Sequence, residues 1–346
     1  MAHPNFSTIM TMDNPLETNA DILSHMSEFV TDQSYVFFAP VSRSWRAAWR
    51  NRPATTQAVT ADTSAGQLLY SFEHGLKRCA GVCKAIAALG RLDLLRIACA
   101  FGYPFCNHTC WKAAEGGNLE VLKFARENGA PWNQLTCSTA AGGGHVKILE
   151  WAVSNGAPLC EWTSTAAAKG GHLNALEFVR GQNCPWNAWT CAQASLAGHL
   201  EVLQYLRANG CPWDEDVCWG AAAGGHLAVL RWARQNGAPW GERACSAAAG
   251  NNHFDVLVWL RANRCPWNER TCSAAAAGNH LGVLRWAMLN GAPYSEETCY
   301  AAATQGNLEI LQFLRDGGCP WNESTTAIAA RGGHENVVEW CRVNGL

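Results

Sequence analysis

The sequence predicts an all-α solenoid of about ten stacked helix pairs with a small helical N-terminal domain, and three observations support this. First, nine prolines recur every 27 residues: Pro104, Pro131, Pro158, Pro185, Pro212, Pro239, Pro266, Pro293 and Pro320. Second, each period holds two short amphipathic helical patterns. Third, one position of every second helix holds a large aromatic residue. A constant period of this length is typical of stacked repeats.

The first helix of most units begins at an Asn, Asp or Ser two residues after the proline, such as Asn133 or Ser295. These residues are strong N-caps. Cysteine follows six residues after the proline in seven units, and alanines follow three and four residues later. This spacing predicts an inner face of small residues, which lets a second helix approach closely. Glycine pairs such as Gly224–Gly225 are expected to end the helix.

The second helix shows Leu, Val, Leu and an aromatic residue at the spacing of Leu227, Val229, Leu230 and Trp232. Because the aromatic position never holds a small residue, we expect a continuous aromatic ladder in the core. Its members are Phe124, Trp151, Phe178, Tyr205, Trp232, Trp259, Trp286, Phe313 and Trp340. If Trp232 is a large core residue, as this pattern predicts, replacing it with Ala should destabilise the protein by about 3–5 kcal/mol.

Composition excludes several classes of protein. Hydrophobic residues make up 48% of the 346 residues and charged residues 16%, which excludes a disordered chain. The net charge of −2 argues against nucleic-acid binding. No apolar run is long enough for a membrane span, and no Lys or Arg precedes Arg43, as a secretory signal would require. We therefore expect a cytoplasmic protein with 17 reduced cysteines.

No residue pattern predicts catalysis, a cofactor or a metal site. Seven units carry a recurring histidine, as at His226, but two carry Asn118 and Asn307 instead. A metal ligand or general base would not tolerate this exchange, so we expect these side chains to bond the local backbone at the helix start. The closest metal-like cluster is Cys106, His108 and Cys110, whose spacing does not match usual zinc sites. We expect no enzyme activity.

The segment Gly198–Cys211 reads Gly-His-Leu-Glu-Val-Leu-x-Tyr-Leu-x-x-Asn-Gly-Cys. It resembles the second helix of an ankyrin repeat, in which Gly-His-x-x-Val-Val-x-x-Leu-Leu-x-x-Gly-Ala recurs, and this resemblance covers residues 77–346. The ankyrin period is about 33 residues. The missing residues fall where that family has a β-hairpin finger. The resemblance thus implies an ankyrin-like solenoid with clipped or absent fingers, in which the turn asparagine caps the first helix directly.

A different pattern precedes the repeats. Asp21-Ile-Leu is followed by Met26, Phe29 and Val30 and, eleven residues later, by Val41-Ser-Arg-x-Trp-Arg. This is similar to the F-box. The resemblance implies docking onto the adaptor of a cullin–RING ubiquitin ligase through one apolar cluster: Ile22, Leu23, Met26, Phe29, Val30, Val41 and Trp45. The alternative is a small helical cap for the solenoid.

The predicted organisation has four parts. Residues 1–20 are a flexible acidic arm and residues 21–52 the F-box-like domain. Residues 53–76 are a linker and a decayed capping repeat, and residues 77–346 are the repeat solenoid. F-box and short-repeat combinations resemble proteins of large DNA viruses and protists, which would place the chain in the host cytoplasm.

Three functions follow from these patterns. The chain is predicted to be the substrate-recognition subunit of an SCF-type ubiquitin ligase, acting as a monomer and holding a target protein on the repeats. The alternative is a plain binding scaffold. A third possibility is a binder of nucleic acid or another anionic partner through an arginine stripe, although cations in the last helical turn also suit the helix macrodipole. The stripe is Arg126, Arg180, Arg207, Arg234, Arg261, Arg315 and Arg342.

Recognition positions should be those that vary between units. The fourth residue after the proline varies and falls in the first turn of the first helix, pointing outward. The seventh varies in the same way, and exposed aromatic residues beside charges are typical of binding hot spots. The predicted target surface comprises Trp111, Trp162, Trp189, Asp216, Trp219, Arg243, Arg270 and Tyr300. Alternatively, Trp162 and Trp189 fold back and fill the space of the missing fingers.

Overall fold

The computed structural model describes residues 59–60, 63–73 and 78–345. The acidic arm and the F-box-like segment, with all seven predicted adaptor-binding residues, lie outside the described residues. The chain divides into two units, and each is treated by itself. The first combines residues 1–113 and 120–131, and the second combines residues 114–119 and 132–346.

The described residues form an all-helical repeat solenoid, which confirms the predicted fold class. One helix, α1, precedes ten helix pairs, and no β-strand occurs in this part of the chain. None of the described helices is long and apolar enough to cross a membrane. The helices are α1 Ala65–Glu73, α2 Ala80–Ala88, α3 Leu92–Ala100, α4 Asn107–Glu115, α5 Leu119–Glu127, α6 Gln134–Gly142, α7 Val146–Ser154, α8 Glu161–Gly170, α9 Leu173–Gly181, α10 Ala188–Leu196, α11 Leu200–Ala208, α12 Glu215–Ala223, α13 Leu227–Gln235, α14 Glu242–Gly250, α15 Phe254–Ala262, α16 Glu269–Ala277, α17 Leu281–Leu289, α18 Glu296–Thr304, α19 Leu308–Asp316, α20 Glu323–Arg331 and α21 Glu335–Val343.

The turns between units are short and extended, without hairpins. Gly210 adopts φ +77°, which lets the amide of Cys211 bond the Leu206 carbonyl and close helix α11. Asp214, four residues after Gly210, caps α12 by accepting a hydrogen bond from the Asp216 backbone amide at 3.0 Å. Asn133, Asn187, Asn268 and Asn322 also cap their helices, whereas the Ser295 hydroxyl has no hydrogen-bond partner. Most of the predicted caps are therefore present. The clipped β-hairpin fingers are not, because the described turns contain no strand residues at all.

The core consists of small and aliphatic side chains rather than aromatic ones. In the second unit Cys218, Ala221, Leu230 and Ala233 are all fully buried, and their counterparts recur in each pair. The expectation of an aromatic core ladder is wrong: Trp232 and its eight counterparts are only half-buried. Cysteine and alanine bring the paired helices too close together to admit a ring between them, so the rings lie at the edge of the pair.

Six of the nine half-buried rings pack against the tryptophan that follows the proline of their own repeat. The ring centres of Trp213 and Trp232 are 5.9 Å apart, and the interplanar angle is 69°. Edge-to-face geometry of this kind is favourable for aromatic pairs. The same edge-to-face pairing joins Trp132 to Trp151, Trp186 to Tyr205, Trp240 to Trp259 and Trp267 to Trp286, and the rings of Trp321 and Trp340 are tilted at 53°.

Most of the recurring arginines contact the 27-residue repeat that follows their own. The Arg261 guanidinium lies 3.8 Å from the ring centre of Trp267, and its Nη1 donates to the Cys265 carbonyl at 2.5 Å. The macrodipole explanation is therefore incomplete, and the predicted stripe is largely engaged within the protein. The same stacking joins Arg180 to Trp186, Arg207 to Trp213, Arg234 to Trp240 and Arg315 to Trp321.

Replacing Arg261 with Met should destabilise the protein by about 1–2 kcal/mol, because the cation–π contact and the bond to a carbonyl are both lost. Methionine keeps much of the apolar stem, so packing changes little. The measurement is the free energy of unfolding in urea. The matched control is Arg231→Met on the exposed side of α13, which should stay within about 0.5 kcal/mol. Equal effects of the two substitutions would contradict the role given to Arg261.

The cysteines are free thiols, and thirteen of the seventeen are buried. Burial raises the pKa of the Cys218 and Cys272 thiols to about 12 from an ordinary value of 9.0. Because the thiolate is the reactive form, these buried thiols should be inert in the folded protein. The four that are not fully buried are Cys79, Cys99, Cys106 and Cys160.

We predict that a thiolate-specific disulfide reagent at pH 8 labels at most these four cysteines in the native protein and all seventeen in denaturant. Stability should also depend on pH. Since the folded pKa exceeds the unfolded one, the unfolded chain loses thiol protons first as the pH rises above about 9. The contribution of thiols such as Cys218 and Cys272 to the unfolding free energy should therefore be constant below pH 8 and fall between about pH 9 and 12. Rapid native labelling of Cys218 would contradict this.

Candidate functional site

A cleft of about 550 Å³ opens on the first helices of three successive pairs in the second unit, α6, α8 and α10. The lining runs along these helices, from Leu135 to Gly142 on α6 and from Trp162 to Lys169 on α8. Residues one turn apart on a helix share a face, so each helix contributes a short column to the cleft. The lining is Glu115, Leu135, Ser138, Thr139, Gly142, Gly143, Trp162, Thr165, Ala166, Lys169, Trp189 and Gln193.

Three large apolar side chains stand exposed at this cleft. Trp162 is 57% exposed, Leu135 49% and Trp189 38%. All three occupy the second position after the N-cap, where the side chain turns away from the neighbouring helix pair. The structure thus brings two predicted surface residues, Trp162 and Trp189, together in one cleft. Because Trp162 is more than half exposed, its ring does not fill the space of a missing finger.

An ion pair joins the next two repeats at the same position, the fourth residue after the proline. Nη1 of Arg243 is 2.5 Å from Oδ1 of Asp216 and 3.9 Å from Oε1 of Glu215. The guanidinium also lies 5.2 Å from the ring centre of Trp219. Surface pairs of this kind contribute little to stability. Asp216, Trp219 and Arg243 therefore form one charged cluster beyond Trp189 rather than separate contacts.

Arg270 and Tyr300 line a second, more polar cleft of about 810 Å³. The Tyr300 hydroxyl donates to Oε2 of Glu296 at 3.0 Å and accepts from the amide of Asn322 at 2.6 Å. These bonds join Tyr300 to its own helix and to the N-cap residue of the next helix pair. Other residues of this cleft are Ser246, Glu269, Ser273, Ala274, Ala277, Glu297, Ala301 and Thr304.

Trp111 belongs to the first unit. Its ring centre lies 5.7 Å from that of His108, and Nζ of Lys112 lies 4.5 Å from the ring centre. It is half-buried rather than exposed. Of the eight predicted surface residues, seven lie in the second unit, and two of these form the apolar cleft.

The recurring histidines bridge neighbouring helix pairs. Nε2 of His253 lies 3.0 Å from the carbonyl oxygen of Ala223, the last residue of α12. The expected bond to the local backbone is wrong, because the imidazole reaches a residue 30 positions earlier. The shorter side chain of Asn307 does cap its own helix, accepting from the Ile310 amide at 2.9 Å. Equivalent bridges involve His145, His199, His280 and His334.

The metal-like cluster noted in the sequence does not converge. Sγ of Cys106 lies 3.7 Å from Nδ1 of His108. Cys110 is buried, and its Sγ lies 3.8 Å from the Ala130 carbonyl, where burial raises the pKa of the thiol to about 12. Within the described residues, no group of three or more His, Cys, Asp or Glu side chains is placed to hold a metal ion.

Sequence reasoning identified two of the twelve residues that line the apolar cleft, Trp162 and Trp189, and missed the other ten. Leu135 holds the variable fourth position after the proline but was not among the predicted surface residues. Thr139, Lys169 and Gln193 lie one or two turns further along their helices. The available signal was variation at the eighth position after the proline. That position reads Lys112, Thr139, Ala166, Gln193, Gly220, Ala247, Ala274, Ala301 and Ile328.

No protein-family model matches this sequence, and no curated protein matches it. Among solved structures, the chain is similar to the crystal structure of the ankyrin repeat domain of human ASB11. The TM-score is 0.41 and the sequence identity 19%, over 51% of this chain and 96% of that one. The fold described above rests on the helix pairs of this chain themselves.

Proposed function

We propose that this chain is a protein–protein interaction protein whose ankyrin-like repeats hold a target protein on the face of the first helices. The observation that carries the proposal is the apolar cleft, where Trp162, Trp189 and Leu135 are exposed side by side. Exposed tryptophans in a concave site with charged neighbours are the usual centre of a protein interface. The proposal involves no catalytic step, and it takes the chain to act as a cytoplasmic monomer.

The test is the double substitution Trp162→Ala and Trp189→Ala in the full chain. Affinity purification from the native cell type followed by mass spectrometry supplies the partner, and calorimetry measures its affinity. We expect a loss of at least about 100-fold, since two hot-spot residues are removed. The matched control is Leu289→Ala with Val343→Ala, which removes exposed apolar area from the second helices. Lost stability with unchanged affinity would reject the surface.

We further propose that the F-box-like segment makes this protein the substrate receptor of an SCF-type ubiquitin ligase. The support is the motif itself, with the eleven-residue spacing from Val30 to Val41. Leu23→Asp with Phe29→Asp in the full chain should abolish co-purification of the adaptor while the captured target is retained. Undiminished adaptor binding by this variant would reject this role of the segment. Absence of the adaptor from the purification of the native chain would leave a plain binding scaffold as the function.

Binding of nucleic acid or another anionic partner through the arginine stripe is the weaker alternative. Five of the seven arginines stack on tryptophans of the following turn, so their charge is already engaged within the solenoid. Binding to duplex DNA with a steep salt dependence would favour this alternative over the target-protein proposal.

A further inference from the structure

A second apolar patch lies on the second helices α15 and α17, which take no part in the cleft. Phe254 begins α15 and is 44% exposed, and Leu289 ends α17 and is 80% exposed. The ring of Phe254 packs edge-on against Trp286, with the ring centres 5.5 Å apart. Val258 lies one turn after Phe254 and is partly exposed. We call Phe254, Val258, Trp286 and Leu289 the second-helix patch.

The repeat does not need these apolar residues in order to fold. The fifth residue of the second helix is charged or glutamine in nine of the ten described pairs and is Val258 in α15. The first residue is leucine in seven pairs, and the aromatic Phe254 occurs in α15 alone. Exposed apolar side chains that stand together where the other repeats are polar are typical of an interaction surface.

Opposite charges lie on the two helices of the patch. Asp255 follows Phe254 on α15, Arg285 precedes Trp286 on α17, and both charged residues are exposed. Within the described part of the chain, neither of the two has an ion-pair partner. The Arg285 guanidinium lies 5.1 Å from the ring centre of Phe313, which leaves its charge without a carboxylate. The patch therefore has an unpaired negative charge on one helix and an unpaired positive charge on the other.

A surface with this charge arrangement is complementary to itself. In a two-fold symmetric dimer both copies use the same patch, and if residue i contacts residue j of the other copy, then j also contacts i. A two-fold axis between α15 and α17 brings Asp255 of each copy to Arg285 of the other, with the apolar side chains packed around the axis. The N-terminal segment fits less well. Residues 1–42 contain five carboxylic acids and no Lys or Arg, so they would leave Asp255 without an opposite charge.

We propose that the second-helix patch binds a second copy of this chain, with two-fold symmetry and two equivalent ion pairs between Asp255 and Arg285. This inference goes beyond the proposed function and replaces its monomer with a pair of chains. The target cleft lies on the first helices of earlier repeats, so each copy keeps a cleft of its own.

The test is sedimentation velocity of the full chain over a series of concentrations, with circular dichroism to check the fold of each variant. We expect the native chain to dimerise reversibly. Asp255→Arg should weaken the dimer at least about 100-fold, because a guanidinium then faces a guanidinium at both contacts. Arg285→Asp should have the same effect by bringing carboxylates together. The matched control is Glu201→Arg, the same reversal of charge at the second residue of α11, which should dimerise like the native chain.

Mixing the two variants separates a specific pairing from general damage. Equal amounts of Asp255→Arg and Arg285→Asp should form a mixed dimer, because both contacts then join opposite charges, although neither variant pairs with itself. A native chain that stays monomeric at every concentration would overturn the inference, as would a mixture that stays monomeric. Loss of a co-purified protein, rather than of the dimer, in both variants would assign the patch to that protein and also overturn it. Trp162→Ala with Trp189→Ala should still dimerise, so the target-binding proposal and this one can fail separately.

Discussion

Replacing Leu230 with Ala should destabilise the protein by about 3–4 kcal/mol, the largest effect we expect from a single substitution. Leu230 is fully buried on α13, among the small side chains that close each helix pair. Alanine and cysteine neighbours have little freedom to move into the space left behind, so the cavity should persist. Equilibrium unfolding in urea, followed by circular dichroism, measures the change.

The matched comparison is Trp232→Ala, two residues further along the same helix. The sequence predicted about 3–5 kcal/mol for this substitution on the assumption of a core position. Because the ring is half-buried and packs mainly on Trp213, we now expect about 2 kcal/mol. A larger loss for Trp232→Ala than for Leu230→Ala would mean that the aromatic edge, and not the small-residue core, stabilises the pair.

Replacing Gly224 with Ala should cost about 2 kcal/mol, as in an overpacked core, although its backbone suits any residue. Gly224 is the C-cap of α12 with φ −85° and ψ −7°. An added Cβ would overlap the carbonyl oxygen of Leu196, the last residue of α10, and the ring of His226. A backbone carbonyl cannot rotate away, so the neighbouring helices must separate. Urea unfolding again gives the free energy.

The control is the same substitution where space is open. Gly282 lies inside α17 and has no atom within 4 Å of an added Cβ. Gly282→Ala should therefore stabilise the protein by about 0.5–1 kcal/mol through helix propensity. Opposite signs for the two substitutions support the close approach at Leu196. If both variants gained stability, the spacing between α10 and α12 would not be set by contact at Gly224.

Sequence periodicity was sufficient to predict the helix pairs. The proline spacing, the caps such as Asn133 and Asp214, and the glycines after each helix are local signals, and the described helices begin and end where they indicate. Local signals do not report how closely two helices approach. Ala197 occupies the position equivalent to Gly224 one unit earlier, so sequence alone would judge Gly224→Ala harmless.

The site was predictable only in part, because recognition residues differ from unit to unit. Variation at the fourth position after the proline identified Trp162 and Trp189. Gln193 lay outside that row, one turn after Trp189 on α10, and its place in the cleft depends on which helix faces line it, which a sequence does not display. The histidines were judged structural, but their partners lie in the preceding helix pair, as Ala223 does for His253, and could not be inferred from local spacing.

The arginine–tryptophan contact has a consequence for how such a chain can lengthen. At five junctions one repeat provides the arginine and the following repeat the tryptophan, as Arg234 meets Trp240 and Arg261 meets Trp267. A tandem duplication of one whole repeat, begun at any point of the period, therefore delivers both halves of every new junction. An insertion shorter or longer than a whole repeat would leave one junction without its stacked pair. Selection on that contact alone would preserve the repeat length in the gene through successive duplications.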